Sequence, residues 1–325
     1  MRVFLPDQPT LRSPSGPNFR RAITLVEVLV VISTIGLTGS IILPAVLQAR
    51  GSARTTACKN NLRQIGIAIH NFEASNRKYP NLFFGVVDRA PESFSMWCVS
   101  PTAQLAAFLD EPAATKAIND ARTPPLWDLR DLAIPSPAVI QCPADGLITR
   151  SGVSYRYNRG VIPVHPEDPL GVFTGFRGRR SGEITDGLSN TAFVSERLVS
   201  DVRFQEQSRT PMEITSTHSG NIGQGCISEN QLGGTNNSVA DSWGSNWLSS
   251  ESRHATYYHF FPPNSIWKDC ESAAMHPDSV PSARSLHNAG VNTLFGDGRV
   301  EFVGNSIDLD AWRALGTRSA ADHEP

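Results

Sequence analysis

RRAITLVEVLVVISTIGLTGSIILPAVLQA, residues 20–49, is the stretch on which the reading of the whole chain turns. A helix needs about 20 consecutive apolar residues to cross the hydrocarbon core of a bilayer. Ile23–Leu47 meets that length, interrupted by Glu27 and Pro44. Residues 1–22 ahead of it are polar and basic, with Arg12, Arg20 and Arg21 and the breakers Pro14, Gly16 and Pro17. Basic residues before a span hold that end in the cytoplasm and leave the bulk to be translocated. The run is longer than the apolar core of a secretory signal peptide, which needs only about 7–15 residues.

The two interruptions carry the information. A carboxylate inside a membrane span costs several kcal/mol unless it is paired, so such a group marks function by default. A cut between Ala22 and Ile23 would place a new amine at the start of the span. Glu27 would then neutralise that amine, in its own chain or in a neighbouring subunit. Pro44 removes one helical hydrogen bond and is expected to bend the helix. The plain alternative is a signal-anchor helix whose Glu27 lies close enough to the interface to snorkel.

Beyond the span, Cys58, Leu62, Ile65, Ile69 and Phe72 recur at alternating spacings of four and three, one stripe of a helix. Ile67 breaks the stripe, and Pro80 stops any helix by about Tyr79. No breaker cluster separates this segment from the span. The pattern therefore predicts one rod from about Ile23 to about Asn76, roughly 80 Å long at 1.5 Å per residue. His70, next to the stripe, reads as structural.

After Tyr79 the pattern changes. Short β-rich runs (NLFFGVV, AVIQC, NTAFVSE, NTLF, RVEFV) alternate with Gly, Pro, Asn and Asp turns. One helical stretch is predicted around Pro101–Asp120, with a break at Pro112. The expected layout is α+β: a long N-terminal transmembrane and amphipathic helix packed on a β-rich, loop-rich antiparallel head. Its parts are a basic leader (1–22), a transmembrane helix (23–47), an amphipathic continuation (48–77), a head (78–312) with a long loop or insertion at 205–252, and a disordered tail (313–325). A formal charge of −2 over 325 residues gives the bulk of the chain no reason to bind nucleic acid. Of the five cysteines, none forms a C-x-x-C pair. Cys226 and Cys270 are first candidates for a disulfide, which an extracytoplasmic head permits. The alternative is that all the cysteines are small buried apolar residues.

RRAITLVEVLVVISTIGL resembles the type IV prepilin signature, in which a basic leader ends in Gly and is followed by an aromatic or apolar residue and then Thr-Leu-x-Glu. The match makes Ala22 the last leader residue, Ile23 the first mature residue and Glu27 the fifth, with Pro44 where pilins carry a helix-bending proline. Ala22 replaces the usual Gly and Ile23 the usual Phe. Further strings, CKNNLRQIGIAIHNF, QCPAD, SYRYN, ITDGLSNT and SLHNAGVNTLFGDGRVEF, resemble a large bacterial family of uncharacterised pilin-like proteins with a C-terminal H-x9-DG signature. Here that signature is His287 followed by Asp297-Gly298. The likeness runs from Arg20 to Thr317, with 205–252 unmatched. It implies a single-pass inner-membrane protein with a cytoplasmic N-terminus and an extracytoplasmic head. It also implies processing by a prepilin peptidase, methylation of the new terminus, and other pilin-like subunits as partners in a type II secretion or pilus-like filament. No catalytic residue and no resident cofactor are expected.

The head offers weaker candidates. VNTLF-GDG-RVEFV reads as a hairpin whose Asp297-Gly298 supplies a tight turn. A catalytic His287–Asp297 pair is the enzymatic alternative, with no nucleophile or oxyanion motif beside it. Asp186, Ser189 and Asn190 are calcium candidates on oxygen chemistry alone, without an EF-hand spacing. His254 and His259 lack a third zinc ligand and read as exposed loop residues. Trp243, Trp247, Tyr257 and Tyr258 fit either a glycan or partner surface or a packed core.

Overall fold

A computed structural model describes residues 24–82, 99–120, 134–147, 150–161, 170–173, 175, 177–200, 212–214, 222–231, 243–272 and 279–319. The chain falls into two compact units, Met1–Arg50 and Gly51–Pro325.

One helix, α1 (Leu25–Asn76), runs through both the apolar span and the striped segment. Its first turn is closed by Thr24 and Glu27. The Glu27 carboxylate accepts from the Thr24 backbone N–H at 2.8 Å and its hydroxyl at 2.9 Å, while Thr24 Oγ1 accepts from the Glu27 N–H at 3.3 Å. That reciprocal pair is a capping box. Pro44 lies inside the helix. From Leu25 to Leu47 the large apolar side chains are exposed, and the most apolar window has none of its residues buried.

Within the second unit the stripe is buried. Cys58, Leu62, Ile65, Ala68 and Ile69 form a core with Tyr79, Leu105, Tyr155, Tyr157, Phe173, Phe193 and Leu294. Each fully buried aliphatic side chain contributes about 1.5–3 kcal/mol. Ile67 points away and is exposed. Gly66 lets the helix approach the sheet: a Cβ there would lie 2.9 Å from Leu294 Cδ1.

Two short helices follow, α2 (Pro101–Gln104) and α3 (Pro112–Asp120), with a 3-10 turn at Ala106–Phe108 between them. Ser100 caps α2 by accepting from the Ala103 N–H at 3.0 Å, and Pro101 takes the first position, where a missing N–H costs nothing. The remaining helices are α4 (Ile222–Gln231), α5 (Ser252–Ala255) and α6 (Leu309–Ala314). The strands are β1 (Tyr155–Asn158), β2 (Ala192–Glu196), β3 (Met212–Ile214), β4 (Thr256–Tyr257), β5 (Cys270–Ser272), β6 (Ser279–Val280), β7 (Gly290–Phe295) and β8 (Val300–Gly304). They make a five-stranded sheet in the order β4-β1-β2-β7-β8 and a three-stranded one in the order β3-β5-β6. The layout is α+β, as expected from the sequence. The sheets themselves are mixed, because β1 pairs parallel with β4 and β3 parallel with β5.

Several sequence expectations are refined here. AVIQC is a 3-10 turn at Ala138–Ile140 rather than a strand. The 205–252 segment carries β3 and α4 among its described residues. The start of the expected tail (313–325) is docked: Thr317 donates to Asp186 Oδ2 at 3.1 Å, and Arg318 N–H donates to the Leu170 carbonyl at 3.1 Å.

Candidate functional site

The conspicuous polar cluster of the second unit lies where α1 meets the large sheet. Cys58 on α1 is bonded to Cys142, which follows the 3-10 turn, across 84 residues of sequence. Glu196 ends β2, and His287 stands just before β7. His287 Nε2 lies 3.1 Å from Glu196 Oε1, and Cys142 Sγ lies 3.7 Å from each of those atoms. All four side chains are buried.

Neighbours fix both polar groups. His287 Nδ1 meets Thr55 Oγ1 at 3.1 Å, and that hydroxyl donates to the Gly51 carbonyl at 3.1 Å. With the Thr55 hydrogen committed to Gly51, Nδ1 donates to Thr55. Glu196 Oε2 accepts from the Asn292 backbone N–H at 2.8 Å, and Oε1 from the Asn292 amide at 2.9 Å. Tyr155 donates to the Cys58 carbonyl at 3.3 Å; burial, and then the Glu196 charge, push its phenol well above the ordinary tyrosine range. The sequence pointed to His287 and offered Asp297 as its carboxylate, which is not the partner it finds. Glu196, 91 residues away, and the Cys58–Cys142 bond were missed, because nothing local in either string identifies the other.

A second buried network lies alongside. Asp269 accepts from Arg197 at 2.7 and 3.1 Å and from Arg284 at 3.0 and 3.2 Å. Burial pushes the Asp269 carboxyl up, but the Arg284 and Arg197 charges and hydrogen bonds outweigh it and hold the group below its ordinary value. Burial lowers the neighbouring Arg156, which donates to the Arg253 carbonyl at 2.6 Å. Asp145 of QCPAD accepts from Ser154 and from the Val199 N–H, both at 3.0 Å.

The other candidates separate. Ala22 and Ile23 lie outside the described residues. Glu27 is in the first turn of α1, engaged by Thr24. Asp297 and Gly298 form the β7–β8 turn: Gly298 has φ +87°, and Asp297 Oδ1 accepts from the Arg299 N–H at 2.9 Å. His287 stands at the opposite end of β7, so no His–Asp pair forms. Asp186, Ser189 and Asn190 make a turn in which the Asn190 amide donates to the Asp186 carbonyl at 3.0 Å, and Arg299 donates to the Ser189 carbonyl at 2.6 Å. His254 and His259 are buried, contrary to the exposed-loop expectation. His259 sits between Tyr257 OH at 2.9 Å and the Trp312 carbonyl at 2.7 Å. Trp243, Trp247, Tyr257 and Tyr258 are buried as well and pack the core. Cys226 and Cys270 form the second disulfide, as the sequence suggested; Cys98 lies outside the described residues.

The fold defines a class: a head of mixed sheets and, among the described residues, one helix long and apolar enough to be a candidate membrane anchor. More narrowly, the chain belongs to the family described as proteins of unknown function, DUF1559, whose model matches residues 47–310. No curated protein and no solved structure matches it.

Proposed function

We propose that the protein is a pilin-like subunit of the bacterial inner membrane. A prepilin peptidase cuts it between Ala22 and Ile23, and the subunit assembles through its N-terminal helix into a type II secretion or pilus-like filament. One observation carries this reading. Among the described residues, Leu25–Leu47 presents exposed apolar side chains along the helix, and the same helix continues into the buried stripe at Cys58–Ile69. Such a surface must be covered by lipid or by other helices. The membership of the DUF1559 family fits this reading without supplying an activity. The head then serves surface specificity.

Glu27→Ala tests the assembly step. Membrane insertion is expected to persist, while crosslinking between subunits through the helix disappears. Unchanged crosslinking would remove the role given to Glu27. The capping box supports a second reading, a membrane tether that never polymerises, because Thr24 already satisfies the Glu27 carboxylate without a partner's amine. Under that reading only monomers are trapped in the membrane, with or without Glu27.

A further inference from the structure

We propose that Cys58, Cys142, Glu196 and His287 are the four ligands of a buried site for a thiophilic divalent metal such as zinc, a site that the Cys58–Cys142 disulfide closes and that reduction by a dithiol opens. One ligand atom from each side chain lies within 4.8 Å of the other three. A tetrahedral zinc site has Zn–S near 2.3 Å and Zn–N or Zn–O near 2.0–2.1 Å. Its edges are then about 3.8 Å between sulfurs, about 3.5 Å from sulfur to nitrogen or oxygen, and about 3.3 Å from nitrogen to oxygen. The corresponding distances here are 3.7 Å from Cys142 Sγ to His287 Nε2, 3.7 Å from Cys142 Sγ to Glu196 Oε1, and 3.1 Å from Nε2 to Oε1. These edges match to within a few tenths of an ångström. The sulfur–sulfur edge is held short by the covalent bond.

The surroundings are those of a ligand set. Metal-binding histidines present one ring nitrogen while the other donates to a fixed acceptor, and ligating carboxylates are themselves hydrogen-bonded. His287 donates through Nδ1 to Thr55, which aims Nε2 at the cluster. Asn292 holds Glu196 by its backbone and side chain. The 3.1 Å contact between Nε2 and Oε1 needs a proton to hold it, and a metal ion takes that proton's place. The ligands come from four separate segments of chain, so the metal would take over the joining of α1 to the sheet that the disulfide performs when oxidised. Arg197 and Arg284 line the same small cleft as Cys142 and Glu196 and offset the negative charge of a dithiolate–carboxylate site.

The chemistry balances. A dithiol reductant gives two electrons and two protons to the Cys58–Cys142 bond; the disulfide opens to two thiols, and the reductant becomes a disulfide. Binding of one divalent ion then releases the two thiol protons and the proton shared by His287 and Glu196. A small-molecule disulfide reverses both steps: it takes two electrons from the two thiolates, the Cys58–Cys142 bond re-forms, the oxidant leaves as two thiols with protons from solvent, and the metal is expelled.

Cobalt(II) is the probe, added to the full-length protein in detergent under anaerobic conditions. After reduction with dithiothreitol and anaerobic removal of the reductant, one equivalent is expected to give thiolate-to-cobalt charge-transfer absorption with tetrahedral d–d bands, and the unreduced protein none. Cys226→Ser/Cys270→Ser and Cys98→Ser should keep the signal, and Cys58→Ser/Cys142→Ser should lose it. His287→Gln and Glu196→Gln still form the disulfide, so their folding is checked before reduction; each should weaken cobalt binding at least tenfold. The proposal is overturned by a reduced wild-type chain that shows no charge-transfer band, folded or not. It is equally overturned by a band that survives Cys58→Ser/Cys142→Ser, or by unchanged affinity in both His287→Gln and Glu196→Gln.

Discussion

Replacing both Cys58 and Cys142 by alanine removes the covalent link between α1 and the segment after the 3-10 turn. The bond closes a loop of 84 residues. In the chain-entropy picture, a cross-link of that span removes about 15 cal/mol/K from the unfolded chain, or about 4–5 kcal/mol at 25 °C. The Cys226–Cys270 bond closes 44 residues, and the same relation gives about 4 kcal/mol. The two deletions should therefore cost similar amounts despite a nearly twofold difference in loop length, because the dependence is logarithmic. Alanine is chosen so that no new hydroxyl enters beside Glu196 and His287. The assay is denaturant unfolding of the full chain in detergent without added metal, followed by fluorescence of the buried Trp243, Trp247 and Trp312. In a parallel thermal unfolding of the same protein, a loss of about 4–5 kcal/mol in a unit of this size lowers the midpoint temperature by roughly 10 °C or more. A loss below about 1 kcal/mol for the Cys58/Cys142 variant would refute the reasoning, as would two free thiols at these positions in the unreduced native protein.

Other consequences follow from the buried polar groups. Asp269→Asn leaves Arg197 and Arg284 without their shared charge and should destabilise by about 3–5 kcal/mol in the same unfolding assay. Since the folded carboxyl of Asp269 is held below its ordinary value, its stabilisation is present above about pH 4 and fades as pH falls further, so the Asn variant should lose the steepest part of the acid transition. Burial lowers His259 to about 3, although its bond to the Trp312 carbonyl favours the charged form. The unfolded chain then binds a proton below about pH 6.5 that the folded one does not, and stability should drop by about 2 kcal/mol from pH 7 to pH 5. His259→Gln should flatten that slope, as read by denaturant midpoints at the two pH values. Trp312→Ala empties a fully buried site and orphans the Phe261 carbonyl that its indole bonds at 2.9 Å, a loss of about 3–5 kcal/mol by thermal unfolding.

What the sequence disclosed, it disclosed through local patterns. The stripe from Cys58 to Ile69 was legible because a helix repeats its buried face every three to four residues, and Ile67 stood out for the same reason. The β7–β8 hairpin was legible because Asp297-Gly298 carries its own turn chemistry. AVIQC misled because a short apolar run flanked by Pro137 and Pro143 has too few residues for strand and turn to be told apart. The burial of His259 and Tyr257 follows from β4 lying parallel beside β1, a pairing across about 100 residues that no local pattern encodes. The polar cluster was half visible. His287 stood out through its signature, but its partner is Glu196 rather than Asp297, and that choice depends on the register of β2 against β7. Cys58 was read as one more position of an apolar stripe, which it is, while also carrying the bond that ties the stripe down. The Thr24–Glu27 pair supplied both a prepilin-like motif and an ordinary capping box, and spacing alone does not separate the two.

The measurement closest to the central proposal is the mass of the N-terminal peptide of the protein isolated from its native membrane. Processing before assembly gives a first residue of Ile23, with Glu27 as the fifth, and a mass carrying an N-methyl group. A chain that keeps Met1, or one cut at any other position, would contradict the prepilin-like processing and leave the helix as a plain anchor.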